Sequence, residues 1–201
     1  QTVTGKYSTS EESIFDVDEI EDLINVEAFA HVALVIDAMV KEKKYHLSFD
    51  IYIDDSGSMD SRVHGIGKSV SYRDLARMVA FKLFSLGILR DVYLFSCRGN
   101  VCKIKHEHIF SAHIGGGTDI QQCISLAKKH RRPTILITDG WDNIKSGPDG
   151  YFQDMFILIL QCHSTSSTFK QYLPKKQLMF YNNGIFQEGV LDNSSEQIMA
   201  K

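Results

Sequence analysis

No stretch of this chain reaches the roughly 20 consecutive apolar residues that a membrane helix needs, and its start lacks a basic-then-apolar leader pattern. A soluble protein is the expectation. Charge of one sign is also lacking. The 22 Lys and Arg face 25 Asp and Glu, a formal net charge of -3, so no global basic field draws the chain to nucleic acid or to an anionic membrane. Cysteine is scarce: Cys97, Cys102, Cys123 and Cys162 make no CxxC pair and no zinc-like spacing, which favours reduced thiols in a cytoplasmic setting. One alternative stays open, a cross-strand disulfide between Cys97 and Cys102, which flank "RGNV". Repeats and low-complexity tracts are absent as well, and 201 residues suffice for one well-cored domain but not for two large ones. Because the chain starts at Gln1 and ends within "SSEQIMAK", which reads as a helix start, a piece of a longer polypeptide is expected.

Residues 1–12 are polar and aperiodic and read as a flexible lead-in. Over 13–45 the apolar residues recur at helical spacing, among them Val17, Ile20, Leu23 and Ile24, then Phe29, Val32, Ile36, Met39 and Val40. Such a stripe needs burial, so these helices are expected to pack on the main domain. That domain, 46–201, switches to short apolar runs that read as strands: "LSFDIYID" (47–54), "DVYLFS" (91–96), "VCKIK" (101–105), "TILITD" (134–139), "MFILIL" (155–160) and "LMFY" (178–181).

Helical patterns lie between the runs. Ser71 with Asp74 resembles a capping box opening a helix that Gly87 stops, a second helix runs over Thr118–His130, and a weaker one covers 165–173. Strands alternating with helices predict an α/β class: an open, mostly parallel, doubly wound Rossmann-like sheet of about six strands, with one antiparallel edge strand reached by a hairpin through "CRGN".

In such sheets the ligand crevice lies beyond the carboxyl ends of the strands, where "DDSGSM" places Asp54, Ser56 and Ser58 in a DxSxS spacing, with Gly57 for the turn. Two further loops bring similar chemistry to that edge. "IGGGTDI" sets Thr118 at a helix start after Gly115, Gly116 and Gly117, and "LITDGWDN" ends a buried strand with Asp139. Crowded carboxylates repel one another, and hard oxygen donors including hydroxyls suit a small divalent cation that keeps part of its water, magnesium first, with manganese or calcium as alternatives.

DxSxS, then Thr118 after the glycines, then Asp139 in "TDG", in that order, resemble the metal-ion-dependent adhesion site of von Willebrand factor A (VWA) domains over roughly residues 46–183. "GGGTD" is similar to intracellular members such as the Ro autoantigen family and ATPase-associated VWA proteins. The resemblance implies direct metal bonds from Ser56 and Ser58, water-mediated ones from Asp54 and Asp139, and Thr118 joining in the ligand-competent state. It also implies a partner protein whose Asp or Glu completes the octahedron, so a binding module and not an enzyme, within a larger assembly containing an AAA+ ATPase or an RNA-binding part. The stretch from Gly140 to Gln153 is short for a full crossover helix and departs from that family pattern.

Blander readings sit beside these. Thr118 with Gln121 can form a capping box, and Asp and Ser favour turns in any case. Asp55, Asp60, Asp119 and Asp142 read as outer or solvated residues. His106, His108 and His113 read as an exposed polar strand face, zinc being disfavoured for want of a completing ligand. The basic run "KKHRRP" suits a helix C-terminus. Trp141 is placed on the metal-bearing face as an interface anchor, with Gly116 and Gly117 beside it, packing over the short crossover being the other reading. The contrasting function class is a magnesium-dependent phosphatase of haloacid dehalogenase type with Asp54 as nucleophile, which wants a second Asp where the chain has Ser56.

Overall fold

The computed structural model describes residues 8–9, 48–63, 70–96, 101–142, 155–160, 178–182 and 185–188. The helices expected over 13–45 and 165–173, the "CRGN" turn, and residues 143–153 of the short crossover lie outside the described residues. In chain order the described elements are β1 (Ser8–Thr9), β2 (Phe49–Asp54), α1 (Tyr72–Ser85), β3 (Leu89–Phe95), β4 (Val101–Ile104), β5 (Ala112–His113), α2 (Ile120–His130), β6 (Thr134–Thr138), β7 (Met155–Ile159), β8 (Leu178–Asn182) and β9 (Ile185–Glu188). Short 3-10 turns follow β2 at Gly57–Asp60 and β4 at His106–His108.

The runs that form β2, β6 and β7 become strands because they are buried on both faces, as a sheet covered by helices requires. Seven strands order as β4-β3-β2-β6-β7-β8-β9. Five of them, from β3 through β8, run parallel, and β4 closes one edge antiparallel, as the hairpin reading predicts. Beyond β8 the opposite edge carries a further antiparallel strand, β9, which the short run "IFQE" did not reveal. Two residues of the expected lead-in, Ser8–Thr9, pair antiparallel with β5.

Strand residues alternate between two apolar clusters. Phe49, Ile51, Ile53, Val92, Leu94, Ile135 and Ile137 pack with Leu75, Met78, Val79 and Leu83 of α1. Tyr52, Tyr93, Phe95, Leu136, Ile157 and Ile159 pack with Ile120, Cys123, Ile124 and Ala127 of α2. One described helix therefore lies with each face. Each fully buried aliphatic side chain contributes about 1.5–3 kcal/mol, and deleting one such as Ile53 costs about 2–5 kcal/mol.

α1 begins as its sequence pattern predicts: Ser71 accepts from the Asp74 N–H at 3.1 Å while the Asp74 carboxylate accepts from the Ser71 N–H at 2.9 Å. It ends ahead of Gly87, whose φ of 72° only glycine adopts freely. α2 differs from expectation. Its cap is Asp119, which accepts from the Gln122 N–H at 3.1 Å, so the helix starts at Ile120 and the Thr118–Gln121 capping box is not what caps it. Asp is the stronger N-cap residue, and the backbone selects it over the neighbouring Thr. The basic run closes α2 with Lys128, Lys129 and His130 in the last turn, where cations meet the negative end of the helix dipole.

Candidate metal centre

The strand order reverses at β2: from it the chain proceeds to β3 and β4 on one side, then returns to β6 on the other. The crevice of an open α/β sheet opens at such a switch point, beyond the carboxyl ends. β2 ends there in Asp54 and β6 in Thr138, followed by Asp139, and all three side chains are fully buried.

Asp54 is held from two directions. Its Oδ1 accepts from the Ser56 N–H at 3.0 Å, which turns the chain sharply after the strand, and its Oδ2 accepts from the Thr138 hydroxyl at 2.7 Å. Ser56 and Ser58 then bring their hydroxyl oxygens within 3.0 Å of each other, as the DxSxS spacing predicts. The intervening Gly57 does not need glycine's freedom: its φ is not positive, and a Cβ there would meet only the Gly116 carbonyl oxygen at 3.9 Å. The special backbone lies instead at Gly115 and Gly116, with φ of 62° and 112°. Gly57 N–H donates to the Gly116 carbonyl at 2.8 Å, which brings the glycine loop beside the DxSxS turn. Thr118, half-buried, follows two residues later, and because Asp119 caps α2, its hydroxyl is not needed for the helix.

The third loop supplies Asp139. Its Oδ1 accepts from the Trp141 N–H at 3.1 Å, whereas its Oδ2 is buried with no hydrogen-bond partner among the described residues. Trp141 itself is 56% exposed on this rim. The Ile120 N–H at the start of α2 donates to Asp142 at 2.9 Å, tying the third loop to the helix that follows the glycines.

Burial first, and the charge of Asp139 second, push the Asp54 pKa up to about 7, against hydrogen bonds from Ser56 and Thr138 that favour the carboxylate. Burial also raises the Cys123 thiol, with Asp54 and Asp119 adding to the effect, so that cysteine is a packing residue and not a thiolate nucleophile. Cys102 and Cys123 are both free and buried, and the disulfide alternative at Cys102 is not realised. Among the described residues, no ion pair neutralises Asp54 or Asp139, and no three His, Cys, Asp or Glu side chains are grouped to hold a metal. The donor set that does assemble mixes two carboxylates with hydroxyls. An unpartnered buried carboxylate oxygen costs about 1–3 kcal/mol or more, and a hard, hydrated divalent cation suits these oxygens. Asp54, Ser56, Ser58 and Asp139 are the residues such an ion would engage first, with Thr118 on the adjoining loop.

Several residues here escaped the sequence reading. Thr138 buttresses Asp54 and accepts from the Gly140 N–H at 3.1 Å. Asp55 is fully buried and pairs with Arg73 at 2.9 Å, Arg77 at 3.1 Å and His113 at 2.9 Å, the last exposed as the sequence leads one to expect but tied to this carboxylate. Burial lowers the Arg77 pKa, and Asp55 is its main counterweight. Asp60 is exposed, as its reading as a solvated residue expects, and pairs with Arg73 at the surface, while Asp119 is a helix cap. His106 bonds the Arg90 carbonyl at 3.1 Å and stacks on Phe84, so it is part of the edge packing. The one available signal was the i, i+4 arginine pair on a helix flanking the strand ends.

No family model, no curated protein and no solved structure matches this chain.

Proposed function

We propose that the chain is a divalent-metal-dependent protein-interaction module of VWA type, in which Asp54, Ser56, Ser58, Thr118 and Asp139 hold magnesium and a partner's Asp or Glu completes the coordination. The observation that carries this reading is the orphaned Oδ2 of Asp139 beside a second buried carboxylate, with a pair of hydroxyls on the adjoining turn. When bound, the ion supplies a positive centre with open positions for an acidic ligand. The chain's own residues do the rest. Thr138 and the Ser56 N–H orient Asp54, and the Gly57 to Gly116 bond sets the two hydroxyl-bearing loops side by side.

Trp141, with the exposed Gly116 and Gly117, is the surface a partner meets: a large exposed aromatic beside a polar centre is the composition of an interface anchor. Binding is favoured over phosphoryl transfer because that chemistry wants a second Asp two residues after Asp54, where the chain has Ser56, whose hydroxyl lies 3.0 Å from that of Ser58. A cytoplasmic role inside an assembly with an AAA+ ATPase or RNA-binding part accords with the buried free thiols. Among the described residues, no helix is long and apolar enough to cross a membrane.

Manganese(II), which reports its own binding by electron paramagnetic resonance, tests the reading. The chain is expected to take it up, magnesium to displace it, and Asp54→Ala to lose it. Absent uptake, or uptake unchanged in Asp54→Ala, overturns the metal site. Magnesium-dependent hydrolysis of p-nitrophenyl phosphate that disappears in Asp54→Asn would establish the phosphatase alternative instead.

A further inference from the structure

Asp55 stands next to Asp54 but faces away from the hydroxyls, as successive residues leaving a strand do. Its N–H continues the ladder to the Phe95 carbonyl at 2.9 Å, and its carboxylate is fully buried. The two oxygens divide their work. Oδ1 meets Arg73 Nε at 2.9 Å and Arg77 Nη2 at 3.1 Å, both from α1. Oδ2 accepts from the backbone N–H groups of Ile114 at 2.6 Å and Gly115 at 3.1 Å, and meets His113 Nδ1 at 2.9 Å.

The two arginines, one helical turn apart on the same face of α1, extend the same tie. Arg73 Nη2 donates to the Ser56 carbonyl at 3.1 Å and pairs with Asp60, gripping the DxSxS turn. Arg77 donates to the carbonyls of Phe110 and Ala112, gripping the segment that leads into the glycines. One carboxylate thus joins the first loop, the second loop and the helix between them. Desolvating one carboxylate and two guanidiniums is a poor route to net stability, since apolar packing of similar volume does as well or better. Fixed geometry is what such a set supplies, at a point where the next residues have left-handed glycine backbone.

We infer that Asp55 is a positioning residue: through the Ile114 and Gly115 N–H groups it fixes the glycine loop, and thereby the distance between Thr118 and the Ser56–Ser58 hydroxyl pair. This rests on the metal reading given above. A loop so held presents Thr118 to the ion; a loop released from Oδ2 leaves the Ser56–Ser58–Asp54 turn in place but carries Thr118 away from it.

The test is a double-substitution cycle on the full chain, with manganese as the metal and acetate as the stand-in carboxylate. In the parent, acetate is expected to tighten manganese binding. Thr118→Ala loses about tenfold of that acetate-assisted affinity. Asp55→Asn, which has one acceptor oxygen for two sets of donors, loses a similar factor, and the double variant loses no more than Asp55→Asn alone. Hydrogen exchange at Ile114 and Gly115 speeds up about tenfold or more in Asp55→Asn, while amides of β2 and β6 keep their protection. A residue that only stabilised the fold would instead loosen those strands and give additive losses.

His113→Ala, at an exposed position, serves should Asp55→Asn fail to fold, with the same local pattern at reduced size, about two- to threefold. Unchanged exchange at Ile114 and Gly115, or additive losses, in a chain that does bind manganese refutes the role of Asp55 alone. A parent chain that takes up no manganese refutes the metal site, and this role with it.

Discussion

Asp54 and Asp139 leave neighbouring parallel strands at the point where the strand order reverses, and both carboxylates are fully buried without a cationic partner among the described residues. Their proximity is expressed in the Asp54 pKa, raised first by burial and then by Asp139. Two negative groups withdrawn from water at one edge form an arrangement that either holds a proton or holds a cation.

The proton makes stability depend on pH. In the metal-free chain the Asp54 pKa rises from 3.8 to about 7 on folding, so between those values the native state binds a proton that the unfolded state has released. Stability from this group is full below about pH 4, declines as pH rises, and levels off above about pH 7, a loss on the order of 4 kcal/mol. Asp50, whose pKa burial also raises, adds a slope of the same sign. Urea melts in chelator from pH 4.5 to 8 are therefore compared between the parent and Asp54→Asn, the variant being expected to show the shallower dependence (about pH 4 to 7 being the informative window).

Asp139→Asn separates the electrostatic cost of the site from its use. Removing the second charge relieves Asp54, so the metal-free variant is expected to gain stability on the order of 1 kcal/mol near pH 7, and to lose manganese uptake. Thermal melts with and without the metal report both. A variant less stable than the parent in chelator would show that the two carboxylates are not in conflict.

Thr118→Ala and Asp54→Ala are expected to differ in kind. The first keeps the fold and most metal binding but weakens binding of a carboxylate-bearing partner by about 1–3 kcal/mol, the size of a charge-assisted contact; the second loses metal and partner together. Titration of a captured partner against both variants, in magnesium and then in chelator, distinguishes them. Binding that ignores chelator would place the interaction surface elsewhere.

Trp141→Ala bears on the rim. At 56% exposure the ring contributes little to the fold, so stability is expected to change by no more than about 0.5 kcal/mol, while partner affinity falls by about 2 kcal/mol if the ring is an anchor. Calorimetry on the variant and a partner titration supply the two numbers. A large loss of stability with unchanged affinity would make Trp141 a packing residue.

What the sequence determined by itself was local. The near-continuous apolarity of "TILIT" and "MFILI" marked buried strands, Ser71 and Asp74 announced the start of α1, and Asp54 with Ser56 and Ser58 were legible because a strand end and its turn are encoded within a dozen residues. What only the tertiary structure decided lies across long separations. Parallel register places Thr138 beside Asp54, 84 residues apart, and Asp55 meets the Ile114 N–H across 59. No local pattern distinguishes an aspartate that will be buried under two arginines from one that faces water, because a side chain's partners depend on which loops the sheet order brings together. Asp55 therefore looked like an outer residue, and the strand order made it the tie between the two loops of the site.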